Sequence, residues 1–237
     1  MKIAVVIPAY NEARHIELVL HRLPATIKGH AVIPIVVDDG SRDKTSQVAA
    51  AVKGVQVIRH RTNLGKGAAV KTGCDAAYQL GADIFVLMDS DGQHRPEDIE
   101  KLVTPILDEG KNRLVIGTRS FSKKMPLAMR VGNQAFTRIM KFIFQISVRD
   151  TQSGFRAFSR DLYPSIRWAA SNYAMETEML VLGARSHVEF AEVGIDTIYL
   201  NNHKGTTPLD GLRILKTILK LKLTWSQGSN SSESSLG

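Results

Sequence analysis

Four short apolar runs, Ile3 to Ile7, Val32 to Val37, Val55 to Ile58 and Ile84 to Met88, each lead through a polar cluster into an amphipathic segment. That recurrence limits the fold more than any other feature. Runs rich in β-branched residues read as strands covered on both faces, and helices between them are what parallel pairing requires. The helical segments open at Asn11-Glu12 (Ile16, Val19, Leu20, Leu23), at Asp43 (Val48, Ala49, Val52), after Gly67 (Val70, Ala77) and at Pro96. A fifth strand is predicted at Leu114 to Ile116. The expectation is an α/β chain with a mostly parallel central sheet flanked by helices.

Parallel strands end on one edge, so the clusters that follow them share a crevice. These are Pro8-Ala-Tyr10-Asn11-Glu12, Asp38-Asp39-Gly40-Ser41, Asn63 to Gly67, and Asp89-Ser90-Asp91. Singly, each reads as a turn or helix cap. Together they suit a nucleotide, with carboxylates for base and ribose hydroxyls, and Lys66 with the glycine amides for phosphate. Asp89, Asp91 and Gln93 offer hard oxygen ligands of the kind Mg²⁺ or Mn²⁺ prefers, the ion being shared with a diphosphate. His94, beside an Asp-Gly turn, reads as structural.

Past Gly117 the rhythm breaks. Thr118 to Arg130 is a basic loop with Arg119, Lys123, Lys124 and Arg130, leading into an apolar helix near Val131 to Ile146. Asp150 to Phe158 reads as a turn into a short strand, Met175 to Ala184 as a helix carrying Glu176 and Glu178, and Val188 to Leu200 as one or two strands. From Leu209 to Trp225, Leu212, Leu215, Ile218, Leu219 and Leu223 alternate with Arg213, Lys216, Lys220 and Lys222, the pattern of a basic amphipathic helix suited to a membrane surface. Residues 226–237 are Ser/Asn/Gly-rich and predicted disordered.

Composition narrows the function. Lys and Arg number 31 against 23 Asp and Glu, a net +8, so an anionic partner is expected. Aromatic residues are not arrayed for base stacking, which disfavours a nucleic-acid-binding module. The single cysteine, Cys74, excludes an intrachain disulfide framework and a cysteine zinc site. The N-terminal apolar run is too short for a signal peptide, and no run approaches a membrane span, so a soluble or peripheral protein is expected.

The combined motifs IPAYNE (7–12), DDGSRDKT (38–45), NLGKGAAVKTG (63–73), DSDGQH (89–94) and DTQSGFRAF (150–158) resemble family 2 of the inverting glycosyltransferases. Within it, the chain is similar over about residues 1 to 220 to the dolichol- or polyprenol-phosphate mannosyl- and glucosyltransferases. The resemblance implies a glycosyltransferase A fold over 1–208, Mg²⁺ or Mn²⁺, and transfer of a hexose from GDP-mannose or a UDP-sugar to a polyprenyl or dolichyl phosphate. A peripheral location at the cytoplasmic membrane face is expected, with 209–225 either contacting the membrane or packing on the domain, and 226–237 as a tail. Pro8, Tyr10, Glu12, Asp38, Asp39, Lys66, Asp89 and Ser90 would hold the donor, and Asp89, Asp91 and Gln93 the metal. Arg119, Arg130 and Asn133 would hold the acceptor phosphate, with Asp89, Asp91, Arg119 and Arg130 catalytic. Lys204 stands where many relatives have an Arg-x-x-Gly-x-Ser segment, and would substitute as phosphate ligand. That departure leaves the sugar open.

A polyprenyl phosphate is largely dianionic near neutrality, so it attacks without a general base but needs cations. Arg156 joins Arg119 and Arg130 as a candidate, since a guanidinium binds two oxygens at once. The alternative acceptor is a sugar, glycan or small-molecule hydroxyl, which would need a base. Glu178 is expected to face the cleft in that role and Glu176 to face solvent. A nucleotidyltransferase would also use paired aspartates, but IPAYNE and DTQSGFRAF have no place in it.

Overall fold

In the computed structural model of the chain, β1 (Lys2–Ala9) runs through the middle of an eight-stranded sheet, with Ile3 to Ile7 fully buried. The structure describes residues 1–109, 113–119, 127–196, 198 and 208–229, without the side chains of 109, 127–131, 208–210, 212, 213 and 224–229. The remaining strands are β2 (Thr26–Ile27), β3 (His30–Asp38), β4 (Gln56–Arg59), β5 (Ile84–Leu87), β6 (Arg113–Arg119), β7 (Arg156–Ser159) and β8 (Glu189–Ile195). Their order is β2-β3-β1-β5-β7-β6-β8, with β4 also on β3. The pairs β1/β3, β1/β5 and β3/β4 are parallel, as the sequence predicts, and β6/β8 is parallel as well.

β7 departs from that regularity. It lies between β5 and β6, antiparallel to both, with Arg156 opposite Leu87 and Ile116. A reversed strand begins where its neighbours end, so the turn before β7 is delivered to the edge where β5 opens into Asp89.

Helices cover both faces: α1 (Ile16–His21), α2 (Thr45–Ala51), α3 (Lys66–Gln79), α4 (Ile99–Glu109), α5 (Leu127–Phe144), α6 (Tyr163–Ile166), α7 (Met175–Arg185) and α8 (Pro208–Ser229). Alternate residues of β1 feed two cores, as the two-residue period of a strand dictates. Ala4 and Val6 pack in the core that includes Val70, Met140, Met179 and Ile214, whereas Ile3, Val5 and Ile7 join Ile16, Leu20, Leu102 and Val103.

α8 packs on α5 and α7 and runs to Ser229, so the four residues 226–229, expected to be disordered, are helical; 230–237 lie outside the described residues. Ile214 and Ile218 are fully buried, each stabilising the packing by about 2 kcal/mol. Leu215, Leu219 and Leu223 point away from that core, the last two 60% and 69% exposed. No described helix is long and apolar enough to cross a membrane.

Candidate active site

The ends of β1, β3 and β5 open into a cleft of about 530 Å³. Pro8, Tyr10, Glu12, Asp39, Lys66, Asp89, Ser90 and Asp91 all line it, so the clusters share one crevice as the sequence predicts. Glu12 is held by local chemistry: its amide donates to Thr45 Oγ1 at 2.9 Å, and His15 Nδ1 is 2.8 Å from its Oε2.

Asp38 is not among the lining residues. It is fully buried, with Oδ1 accepting the Ser41 amide at 2.8 Å and Oδ2 accepting the Ser46 hydroxyl near Arg59. It shapes the turn rather than a ligand site, which corrects its assignment. Asp39 lines the cleft and anchors the next loop, accepting the Leu64 and Gly65 amides at 2.9 and 2.8 Å and facing His60 Nδ1 at 2.7 Å. The amides of 64 and 65 are therefore committed to Asp39, and that of Ala68 to the Ser171 carbonyl, not held out for phosphate. The glycine at 67 serves a close approach instead: a Cβ there would stand 2.4 Å from the Ala170 carbonyl oxygen.

Lys66 Nζ lies 2.7 Å from Asp89 Oδ1 and 3.1 Å from Glu176 Oε1. Burial would lower the lysine's pKa, but the charges of Asp89 and Glu176 hold it well above the ordinary range. Burial likewise opposes ionisation of Asp89, yet Lys66 keeps its pKa below the usual carboxylate value. Asp91 is different. Burial, then the neighbouring charge of Asp89, push its pKa up to about 6. Gln93 donates its amide nitrogens to both Asp91 oxygens, at 3.0 Å from the backbone and 2.9 Å from the side chain. His94 Nδ1 accepts the Asp89 amide at 3.2 Å while the ring stacks on Phe155, and burial pushes its pKa down to about 4. It is a neutral structural residue, as predicted.

Asp89 and Asp91 bring their carboxylates to the cleft, and Gln93, expected as a third oxygen ligand, instead turns its nitrogens to Asp91. Among the described residues no group of three or more His, Cys, Asp or Glu forms a closed metal cage. A Mg²⁺-type site has no need of one, because one or two carboxylates suffice when substrate phosphates and water complete the octahedron. The residues fit such an ion.

The cations expected for the acceptor are mostly engaged. Arg119 forks onto the fully buried Asp150, Nε to Oδ2 at 2.6 Å and Nη2 to Oδ1 at 2.9 Å. Arg156 is fully buried and donates to the carbonyls of Ser153, Glu176 and Thr151, so it braces the β7 turn and is not a phosphate ligand. Asn133 on α5 is 4% exposed, and among the described residues neither amide atom has a hydrogen-bond partner. The Arg130 side chain, Lys123, Lys124, Lys204 and the Trp225 side chain lie outside the described residues.

Neither glutamate of α7 lies where it was expected, and neither is among the residues lining the cleft. Glu178 accepts the amides of Ala169 and Ala170 at 3.0 and 2.8 Å, tying down the loop whose Asn172 and Tyr173 line the cleft. Glu176 is 2% exposed and paired with Lys66. The reason is helical phase: residues two apart point in different directions, and the long loop before α7, invisible to periodicity, determines which one meets Lys66.

Residues 4–167 match the sequence profile of glycosyl transferase family 2. This chain belongs to that family. The glycosyltransferase is 37% identical over 230 residues to an uncharacterized protein of Methanocaldococcus jannaschii, covering 94% of this chain and 93% of that one. It is 35% identical over 245 residues to the UDP-N-acetylglucosamine–dolichyl-phosphate N-acetylglucosaminyltransferase of Methanococcus voltae, covering 93% and 96%. Among solved structures, glucosyl-3-phosphoglycerate synthase of Mycobacterium tuberculosis in complex with Mg²⁺ and UDP superposes with a TM-score of 0.69 at 26% identity, over 93% of this chain and 79% of that one. The fold of the glycosyltransferase is thus the A type, as its sequence predicts.

Three contributors to the enzyme's cleft escaped the sequence. Asp150 and Gly154 both stand inside DTQSGFRAF, yet only the reversed β7 shows that one anchors Arg119 and the other lies under Lys66 and Asp89. A Cβ at 154 would meet Lys66 Nζ at 2.9 Å and Asp89 Oδ2 at 3.1 Å. Tyr173, with its ring centroid 5.4 Å from Lys66 Nζ, carried no motif at all.

Proposed function

We propose that this glycosyltransferase moves a sugar from a UDP-linked donor to a polyprenyl or dolichyl phosphate with inversion of configuration. The observation that carries the reading is the engagement of the two glutamates. Of the two carboxylates that a hydroxyl acceptor would use as base, Glu178 accepts two backbone amides and Glu176 is paired with Lys66. A phosphate dianion needs no base. The Methanococcus voltae relative, named for a UDP-sugar donor and a dolichyl-phosphate acceptor, supports the same choice.

In this reading Tyr10, Glu12 and Asp39 receive the nucleoside, and Lys66 and Ser90 the diphosphate. Asp89 and Asp91, with Gln93 orienting Asp91, hold Mg²⁺ or Mn²⁺, which when bound supplies charge stabilisation for the departing diphosphate. An acceptor phosphate oxygen attacks the anomeric carbon from the opposite face, forming one C–O bond as the bond to the diphosphate breaks, and no proton moves. Asn133 offers its amide, without a partner among the described residues, to the acceptor phosphate; Arg130 keeps the acceptor role that its sequence motif suggests; and Arg119 is a positioning residue through Asp150.

The outward face of α8 supports a peripheral site on an anionic membrane. Leu215, Leu219 and Leu223 repeat every four residues, beside exposed Lys216, Lys220 and Lys222. Such a face lies in the headgroup region with its leucines inward.

The test is release of nucleoside diphosphate by purified protein with Mg²⁺ or Mn²⁺, a panel of UDP- and GDP-sugars, and a short polyprenyl phosphate. Release should require the lipid phosphate, vanish in Asp91→Ala and persist in any Glu178→Gln protein that remains folded. Equal release with the lipid phosphate and with hydroxyl acceptors would overturn the assignment.

A further inference from the structure

The first turn of α7 presents a carboxylate with one oxygen engaged and the other bare. Glu176 Oε1 is 3.1 Å from Lys66 Nζ, while Oε2 is buried and has no hydrogen-bond donor among the described residues. Its backbone is fixed as well, since Arg156 Nη1 donates to the Glu176 carbonyl at 2.7 Å. A buried charged oxygen without a donor loses its hydration and gains nothing in return, so native structures keep such an atom where a ligand or water satisfies it.

The surroundings say which ligand. Lys66, the ion-pair partner of Glu176, lines the cleft together with Asp89 and Tyr173. Glu176 and Asp89 share the one Lys66 ammonium, so with Lys66 given to the diphosphate the Glu176 carboxylate itself repels a phosphate oxygen and favours an uncharged hydrogen-bond donor. On a nucleotide sugar that donor is a hydroxyl of the sugar ring.

We infer that Glu176 is the residue with which this enzyme selects its donor sugar, Oε2 accepting a hydrogen bond from one ring hydroxyl. This rests on the glycosyl-donor reading above. The carboxylate is oriented in advance by Arg156 and Lys66, and its reach to the sugar opens when Lys66 turns toward the diphosphate. A hydroxyl of the wrong configuration leaves Oε2 bare, which is how a buried polar group rejects a near-identical ligand.

The experiment is a cycle of protein and donor changes, read by equilibrium binding with Mg²⁺ present. UDP-N-acetylglucosamine, UDP-glucose and GDP-mannose are titrated first, then analogues of the tightest binder each lacking one ring hydroxyl, against wild type, Glu176→Gln and Glu176→Ala. One analogue should bind wild type roughly tenfold to a hundredfold more weakly than its parent, the range for a hydrogen bond to a charged acceptor. Glu176→Ala should bind parent and analogue alike, and Glu176→Gln should recover part of the discrimination. UDP affinity should stay unchanged, which separates sugar reading from damage to the fold. If Glu176→Ala discriminates as wild type does, or if every analogue matches its parent, Oε2 meets only an ordered water and the inference fails. Because the cycle needs no acceptor, its outcome is independent of whether turnover proves to require lipid phosphate.

Discussion

The ammonium of Lys66 lies 2.7 Å from Asp89, so the carboxylate best placed to share a divalent ion is already neutralised by a lysine that also serves Glu176. Lys66 and Asp89 are partly exposed but Glu176 is buried, so removing the lysine strands the Glu176 carboxylate, at a cost of about 3 kcal/mol or more. Lys66→Gln should therefore lower the unfolding midpoint sharply, and added Mg²⁺ should restore the variant more than it raises wild type. Denaturation with and without the ion measures this. An equal Mg²⁺ response in both proteins would mean that lysine and ion do not answer the same charge.

Gly154 lies against that pair. An alanine there would press its Cβ to 2.9 Å from Lys66 Nζ and 3.1 Å from Asp89 Oδ2. Overpacking of this kind costs about 1–3 kcal/mol. Gly154→Ala should stay folded yet bind Mg²⁺ and nucleotide at least several-fold more weakly, as calorimetry would show; unaltered binding would remove Gly154 from the site.

His94 gives a pH dependence with a definite sign. Unfolded, its imidazole protonates near the ordinary 6.5; folded, burial delays this to about 4. The stability it contributes is fully present above pH 6.5 and is lost as pH falls through 4, by about 3 kcal/mol. Asp91, pushed up to about 6 by burial and Asp89, runs the other way: its contribution is present below its unfolded value of 3.8 and is lost as pH rises through 6. The stability gap between wild type and His94→Gln should narrow steadily from pH 6.5 to 4 in urea titrations. A gap independent of pH would show that the imidazole is charged in the folded protein.

The outward stripe of α8 predicts selective membrane binding. Co-sedimentation with phosphatidylserine-containing vesicles should exceed that with neutral vesicles, weaken with salt, and drop several-fold in Leu219→Glu. Leu219 is 60% exposed, so the change should leave the unfolding midpoint nearly in place. Binding that ignores both the substitution and the lipid charge would remove α8 as the contact.

Much of this glycosyltransferase was legible from residue order. The apolar runs marked β1, β3, β4 and β5, and because parallel strands share an edge, the positions of Tyr10, Glu12, Asp39, Lys66 and Asp89 in one cleft followed without coordinates. Periodicity and strand polarity are local properties, and local properties can be read in one dimension.

What each polar atom touches was decided only in three. Glu178 braces Ala169 and Ala170 while Glu176, two residues earlier, meets Lys66 from 110 positions away in the chain. Arg156 spends its guanidinium on three backbone carbonyls, and Asp38 and Asp39, adjacent in sequence, part company into a turn and a cleft. The sequence by itself determined the sheet, its edge and the chemical inventory there. The tertiary structure, through the reversal of β7 and the loop before α7, decided which of those groups are spent on the scaffold and which remain for a ligand, because a hydrogen bond depends on ångström distances between segments whose separation along the chain carries no information about them.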